Sequence, residues 1–166
     1  MTEKSRRTAR RWCRFFFGIY LIALVYFLLF SEEWGRSVLT GAYHYNLIPF
    51  REIGRYLKYH EQIGTGLVLL NLAGNVIGFI PFGGLVPALS NRKMGFFRVL
   101  LLSFEVSLFV EVAQLVLKVG SCDVDDILLN IFGSCIGYCL YRLVIKCLQR
   151  QNSQGEEEHS ARETGT

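Results

Sequence analysis

Carboxylates and carboxamides at helical spacing, set inside otherwise apolar sequence, are the residues of this chain with chemistry to offer. Glu111 lies in an apolar run from Phe96 to Leu117, with Ser107 four residues before it and Gln114 three after. Asp123, Asp126 and Asn130 open the next run, and Asn71 and Asn75 stand one turn apart in an earlier one. Residues three or four apart are neighbours on a helix surface, so each set shares a face. Two carboxylates on adjacent helices can serve as acid and base or as ligands for a hard divalent cation such as magnesium. No nucleophile motif, phosphate-cradling glycine loop or metal-ligand spacing accompanies them, so no cofactor is expected and a divalent cation has no further support. His44 and His60 have no spacing that joins them to the acids.

The elements that must hold these groups are membrane spans. With 51% hydrophobic and 19% charged residues in 166, the chain is too apolar for an ordinary soluble domain. Four apolar runs, about 15–30, 65–89, 95–117 and 125–145, each approach the ~20 residues a helix needs to cross a bilayer. The expected fold is all-α: a polytopic bundle of four transmembrane helices, with an extended outer loop over 31–62 between the first and second. A basic N-terminus, 1–14, precedes the membrane domain, 15–148. The tail 149–166, with Glu156-Glu157-Glu158, has too little apolar content to fold and is expected to be disordered. Ser31-Glu32-Glu33-Trp34 offers no small-residue cleavage site, so the first run reads as a retained anchor.

Lysines and arginines flank the runs instead of forming one patch, which speaks against nucleic acid as a partner and for the lipid bilayer. Their weight at the N-terminus, between the second and third runs and after the fourth places both termini in the cytoplasm of a multi-pass protein of the cell membrane. On that topology Asn71, Asn75, Glu111, Gln114, Asp126 and Asn130 come to a similar depth in the outer leaflet. The five cysteines, odd in number and scattered, read as free thiols.

Each group also has a plain structural use. Asn71 and Asn75 can bond across helices, a contact worth about 1 kcal/mol. Asp123 can be a solvated cap on the fourth helix. Glu105, near the bilayer midplane and on another side of its helix from Glu111, is expected in neutral form, bonded to a neighbour and outside the site. Asp125 is expected to point away from the Asp123 and Asp126 stripe. Glu111 is the hardest to explain structurally, because an unpaired buried charge costs several kcal/mol. Gly133-xxx-Gly137 and Gly74-xxx-Gly78 allow close helix contact, and Pro81 is placed to bend the second span. Tyr43, Tyr45, Phe50, Tyr56 and Tyr59 suit a loop lying against headgroups.

Four segments in order resemble the VanZ family over about 20–143. They are Asn46-Leu47-Ile48-Pro49-Phe50; the stretch from Asn71 through Asn75 to Phe79, Pro81, Phe82 and Gly83; Ser107 with Glu111 and Gln114; and Asp123-Val124-Asp125-Asp126 with Asn130, Gly133, Gly137 and Tyr138. The resemblance adds Asn46 to the candidate site, which then comprises Asn46, Asn71, Asn75, Glu111, Gln114, Asp123, Asp126 and Asn130. Some members carry an arginine ahead of the acidic run, where this chain has Gly120-Ser121-Cys122. A named member is associated with raised resistance to teicoplanin, a glycopeptide antibiotic, and the family has no settled biochemical activity. The resemblance therefore implies a membrane protein that lowers glycopeptide susceptibility, with lipid-linked cell-wall intermediates as possible partners. An enzyme acting on a lipid-linked or cell-envelope substrate, and a small transporter or assembly factor, remain as alternatives. The sequence does not set the oligomeric state.

Overall fold

The computed structural model describes residues 3–30, 45–90, 94–118 and 120–164. In chain order they form α1 (Glu3–Phe30), β1 (Tyr45–Asn46), α2 (Arg51–Ile63), α3 (Thr65–Leu89), α4 (Phe96–Leu117), β2 (Cys122–Asp123) and α5 (Val124–Thr164). Four helices are long and apolar enough to span a membrane, over Arg11–Leu29, Asn71–Leu89, Phe96–Leu117 and Val124–Gln151. A helix satisfies its own backbone polar groups, which hydrocarbon requires, so the apolar runs of this chain take this form. Large side chains such as Ile77, Phe97, Phe109, Phe132 and Leu143 remain exposed on their outer faces. That is the surface of an all-α, polytopic membrane protein.

The spans pack through one small apolar core and one close backbone contact. Leu24, Leu28, Phe79, Phe82 and Val110 join α1, α3 and α4 in the core. Between α3 and α5 the backbones nearly touch: a Cβ on Gly133 would collide with the Val76 carbonyl, one on Gly137 with that of Ile80, and one on Gly83 with that of Ser134. The matching order of Val76 and Ile80 with Gly133 and Gly137 makes α3 and α5 parallel. Ser103 against Ser134 and Ser107 against Asn130 make α4 and α5 antiparallel. Gly74-xxx-Gly78 behaves differently from Gly133-xxx-Gly137. It faces α1, where a Cβ on Gly74 would meet only the Phe27 ring at 3.6 Å and one on Gly78 the end of Leu24 at 3.1 Å.

Two elements depart from the expected plan. The loop between the first two spans contains β1 and α2, and its portion 31–44, with Tyr43 and His44, lies outside the described residues. Gly64, at φ 100°, makes the turn between α2 and α3, a backbone conformation glycine adopts without steric cost. β1 pairs in parallel with β2, Tyr45 opposite Cys122 and Asn46 opposite Asp123. At its far end α5 continues through Thr164, across the segment where composition leads one to expect an unfolded tail. Extending an existing helix avoids the cost of nucleating a new one. Pro81 and Pro87 both lie inside α3.

Candidate functional site

The polar residues converge where α2, β1 and β2 gather at one end of the bundle. Asp123, at the end of β2, precedes α5 directly, and its Oδ1 accepts the Asp125 amide at 2.9 Å, the bond expected of an N-cap carboxylate. The same oxygen accepts Asn46 Nδ2 at 3.1 Å. Asn46 folds its own segment as well, its Oδ1 accepting the Ile48 amide at 3.2 Å. From α4, Glu111 Oε2 accepts the Asp123 backbone amide at 2.8 Å, with Glu111 only 3% exposed. Glu111 thus holds the start of β2–α5 against α4, and Asp123 holds β1 against it. The cap expected of Asp123 is present, yet it is buried, at 4% exposure.

Burial pushes the Asp123 carboxyl above its ordinary range, outweighing the hydrogen bonds from Asp125 and Asn46 that favour its ionised form. Burial, then the charges of Glu111 and Asp123, push the neighbouring Cys122 thiol up too. The cysteine is a poor nucleophile in this setting.

Deeper along the helices the amides take over. Asn75 Nδ2 donates to Asp126 Oδ1 at 2.7 Å, joining α3 to α5. Asn130, one turn on from Asp126, donates through Nδ2 to Ser107 Oγ at 2.8 Å, joining α5 to α4. Below it Ser103 and Ser134 share a hydroxyl contact of 2.7 Å. Gln114 Nε2 donates to the Leu28 carbonyl at 3.0 Å and so ties α4 to α1. Two buried acceptors, Gln114 Oε1 and Asn130 Oδ1, have no hydrogen-bond partner among the described residues. Each such group carries a penalty of about 1–3 kcal/mol.

Of the eight residues singled out from the sequence, Asn46, Asp123 and Glu111 form one chain of hydrogen bonds, Asn75 pairs with Asp126, Asn130 with Ser107 and Gln114 with the Leu28 carbonyl, while Asn71 stands apart. Its Nδ2 donates to the Tyr56 hydroxyl at 3.2 Å, so it fastens α2 onto α3 while Asn75 turns toward α5. Asp125 does point away from the partners of Asp123 and Asp126, toward α2, where sequence reading gave it no role. This side chain is 1% exposed and accepts three backbone amides, Phe50 on Oδ1 at 2.5 Å, and Glu52 and Ile53 on Oδ2 at 2.9 and 3.1 Å. It caps the start of α2, where Phe50 occupies the cap position at φ 64° with no side-chain cap of its own. The missing cap was a usable signal: no Ser, Thr, Asp or Asn immediately precedes Arg51, so the first amides of α2 need an acceptor from elsewhere. Glu105 is exposed on α4, and nothing among the described residues bonds to it. Among the described residues no group of three or more His, Cys, Asp or Glu is arranged to hold a metal ion.

Comparison with known proteins relates the chain to a family. The chain is 28% identical over 137 residues to a curated protein of Enterococcus faecium named Protein VanZ, a match covering 81% of this chain and 76% of that one. No solved structure matches. The VanZ/LLP1 family profile matches residues 17–145, which takes in most of each of the four apolar spans and every residue of the polar region; the chain belongs to the VanZ/LLP1 family.

Proposed function

We propose that this membrane protein lowers susceptibility to glycopeptide antibiotics such as teicoplanin, and that the polar region at the α2 end of the bundle faces outward and does the work. The observation that carries the reading is the gathering of Asn46, Asn75, Glu111, Asp123, Asp126 and Asn130, from β1, α3, α4, β2 and α5, into one polar region whose hydrogen bonds run between elements. A bundle needing only stability would hold such a set at a cost, since apolar packing would do. Similarity to Protein VanZ of Enterococcus faecium supports the same reading.

The chemistry of the region narrows the ligand. Its buried polar residues are amides, hydroxyls and carboxyls, with no lysine, arginine or histidine among the described buried residues. Together with the carboxylates, Gln114 Oε1 and Asn130 Oδ1 leave an excess of acceptors. Such a region suits a ligand rich in N–H and O–H donors, as is the sugar-peptide portion of a lipid-linked cell-wall intermediate. Binding that portion, or altering access to it, would act in the compartment where glycopeptides act.

The test is glycopeptide susceptibility of cells making wild type, Glu111→Gln or Asp126→Asn at matched membrane levels. Loss of protection in either variant is the expected result. Undiminished protection in both removes the region from the mechanism.

A further inference from the structure

Outside this region, one acidic side chain of the membrane spans has no role in the bundle. Glu105 lies nine residues beyond Phe96 in the span Phe96–Leu117. At ~1.5 Å per residue that is ~13 Å into a hydrocarbon layer ~30 Å thick, close to its middle. The side chain is exposed, on the face of α4 turned away from the other helices. Nothing among the described residues hydrogen-bonds or ion-pairs with it. A carboxyl group facing hydrocarbon without a partner is costly in either ionisation state, since even the neutral acid leaves a donor and an acceptor unmet.

The surrounding residues say how it can be covered. Leu101, Glu105, Leu108 and Val112 recur at intervals of four, three and four, and the three apolar members are exposed at 56%, 38% and 46%. This is the spacing found in the seam of two parallel helices packed with a left-handed crossing, and Glu105 occupies a central position in the row. Phe104 and Phe109, also exposed, flank the seam. Every copy of the chain inserts in the same direction, so a second α4 presents its own Glu105 at the same depth. A carboxyl group is its own complement, with an O–H to give and a C=O to receive. Arg98, two turns back on the same face, sits near the end of the span and is too far along the axis to meet a partner's Glu105 in a parallel pair.

We propose that the α4 face binds a second copy of this chain about a two-fold axis along the membrane normal, with the two Glu105 carboxyls hydrogen-bonded to each other, O–H to C=O. Glu105 fixes the register of the pair, as a single polar residue does in a coiled-coil seam.

The experiment uses the full chain in phospholipid vesicles, with energy transfer measured between donor- and acceptor-labelled copies across a range of protein-to-lipid ratios. Wild type is expected to associate as a dimer, and Glu105→Gln to do the same, because an amide also donates and accepts. Glu105→Leu should lower the dimerisation constant ~3- to 20-fold, the range measured for single interhelical polar contacts. Glu105→Lys should remain monomeric alone and pair with wild type when the two are mixed. Phe132→Ala, on the exposed face of α5, should leave association unchanged. Energy transfer in wild type no greater than random proximity gives would overturn the proposal and leave Glu105 to a different membrane protein. So would a Glu105→Leu chain that associates as well as wild type.

Discussion

Asp123 carries two opposed duties, and pH separates them. It caps α5 and receives Asn46, both favouring a carboxylate, while burial favours the neutral acid and raises its pKa from the ordinary 3.8. The folded chain therefore holds this proton to higher pH than the unfolded chain does. Its contribution to stability is fully present below that ordinary value and is lost as pH rises through the elevated one, by about 1.4 kcal/mol for each unit of elevation. Asp123→Asn keeps the Oδ1 acceptor for Asn46 and for the Asp125 amide and discards the buried charge. Thermal unfolding of wild type and Asp123→Asn in lipid nanodiscs, followed from pH 4 to 8, should show the difference between the two drifting toward the variant as pH rises. A constant difference would mean that Asp123 titrates as an ordinary surface acid. Asp125 has the contrasting role: its oxygens accept the backbone amide of Phe50, just before α2, and those of Glu52 and Ile53 in its first turn, so its value lies in the segment it holds.

At the scale of elements, close approach of α3 and α5 sets the frame on which these side chains meet. Gly133→Ala would drive a methyl group into the Val76 carbonyl, and backbone cannot step aside as a side chain can. Gly74→Ala would touch only the Phe27 ring at ordinary contact distance. The first substitution should destabilise by about 1–3 kcal/mol or more and the second by far less, measured as the denaturant needed to unfold half the protein in detergent. Equal effects would mean that the two spacings do the same job. Sequence alone makes Gly133-xxx-Gly137 and Gly74-xxx-Gly78 look alike, because it shows the small residues and not the partner each one faces. The four spans were legible for a simpler reason: a long apolar run in hydrocarbon has few choices besides a helix. α2 was hidden because it is short, polar on its exposed side, and capped by Asp125 from 75 residues away. The Asn75–Asp126 and Asn130–Ser107 pairs cross between helices. Helical spacing gave the face each residue lies on, and only packing could give its partner.

For the whole molecule, the decisive quantity is which side of the membrane the α2 end faces. Contacts make α3 parallel to α5 and α4 antiparallel to it, so the polar region belongs to a single end of the bundle whichever way the chain inserts. The distribution of basic residues is what the expected direction rests on. Lys4, Arg6, Arg7, Arg10, Arg11 and Arg14 lie before or at the start of the first span, Arg92, Lys93 and Arg98 lie around the connection before the third, and Arg142, Lys146 and Arg150 lie in the last part of the fourth. The opposite end carries fewer, among them Arg51, Arg55, Lys58 and Lys118, and several of these sit in the longer loop, where charge has less influence on insertion. Lys118, exposed at the end of α4, and Arg150, exposed near the end of the last span, mark the two ends. In a chain whose native cysteines are replaced, Lys118→Cys should react with a membrane-impermeant thiol reagent on intact cells. Arg150→Cys should react only after the membrane is opened. The reverse pattern would place Glu111, Asp123 and Asp126 toward the cytoplasm, where a glycopeptide acting on the wall does not reach. An outward-acting ligand site would then be untenable even if every hydrogen bond within it were correct.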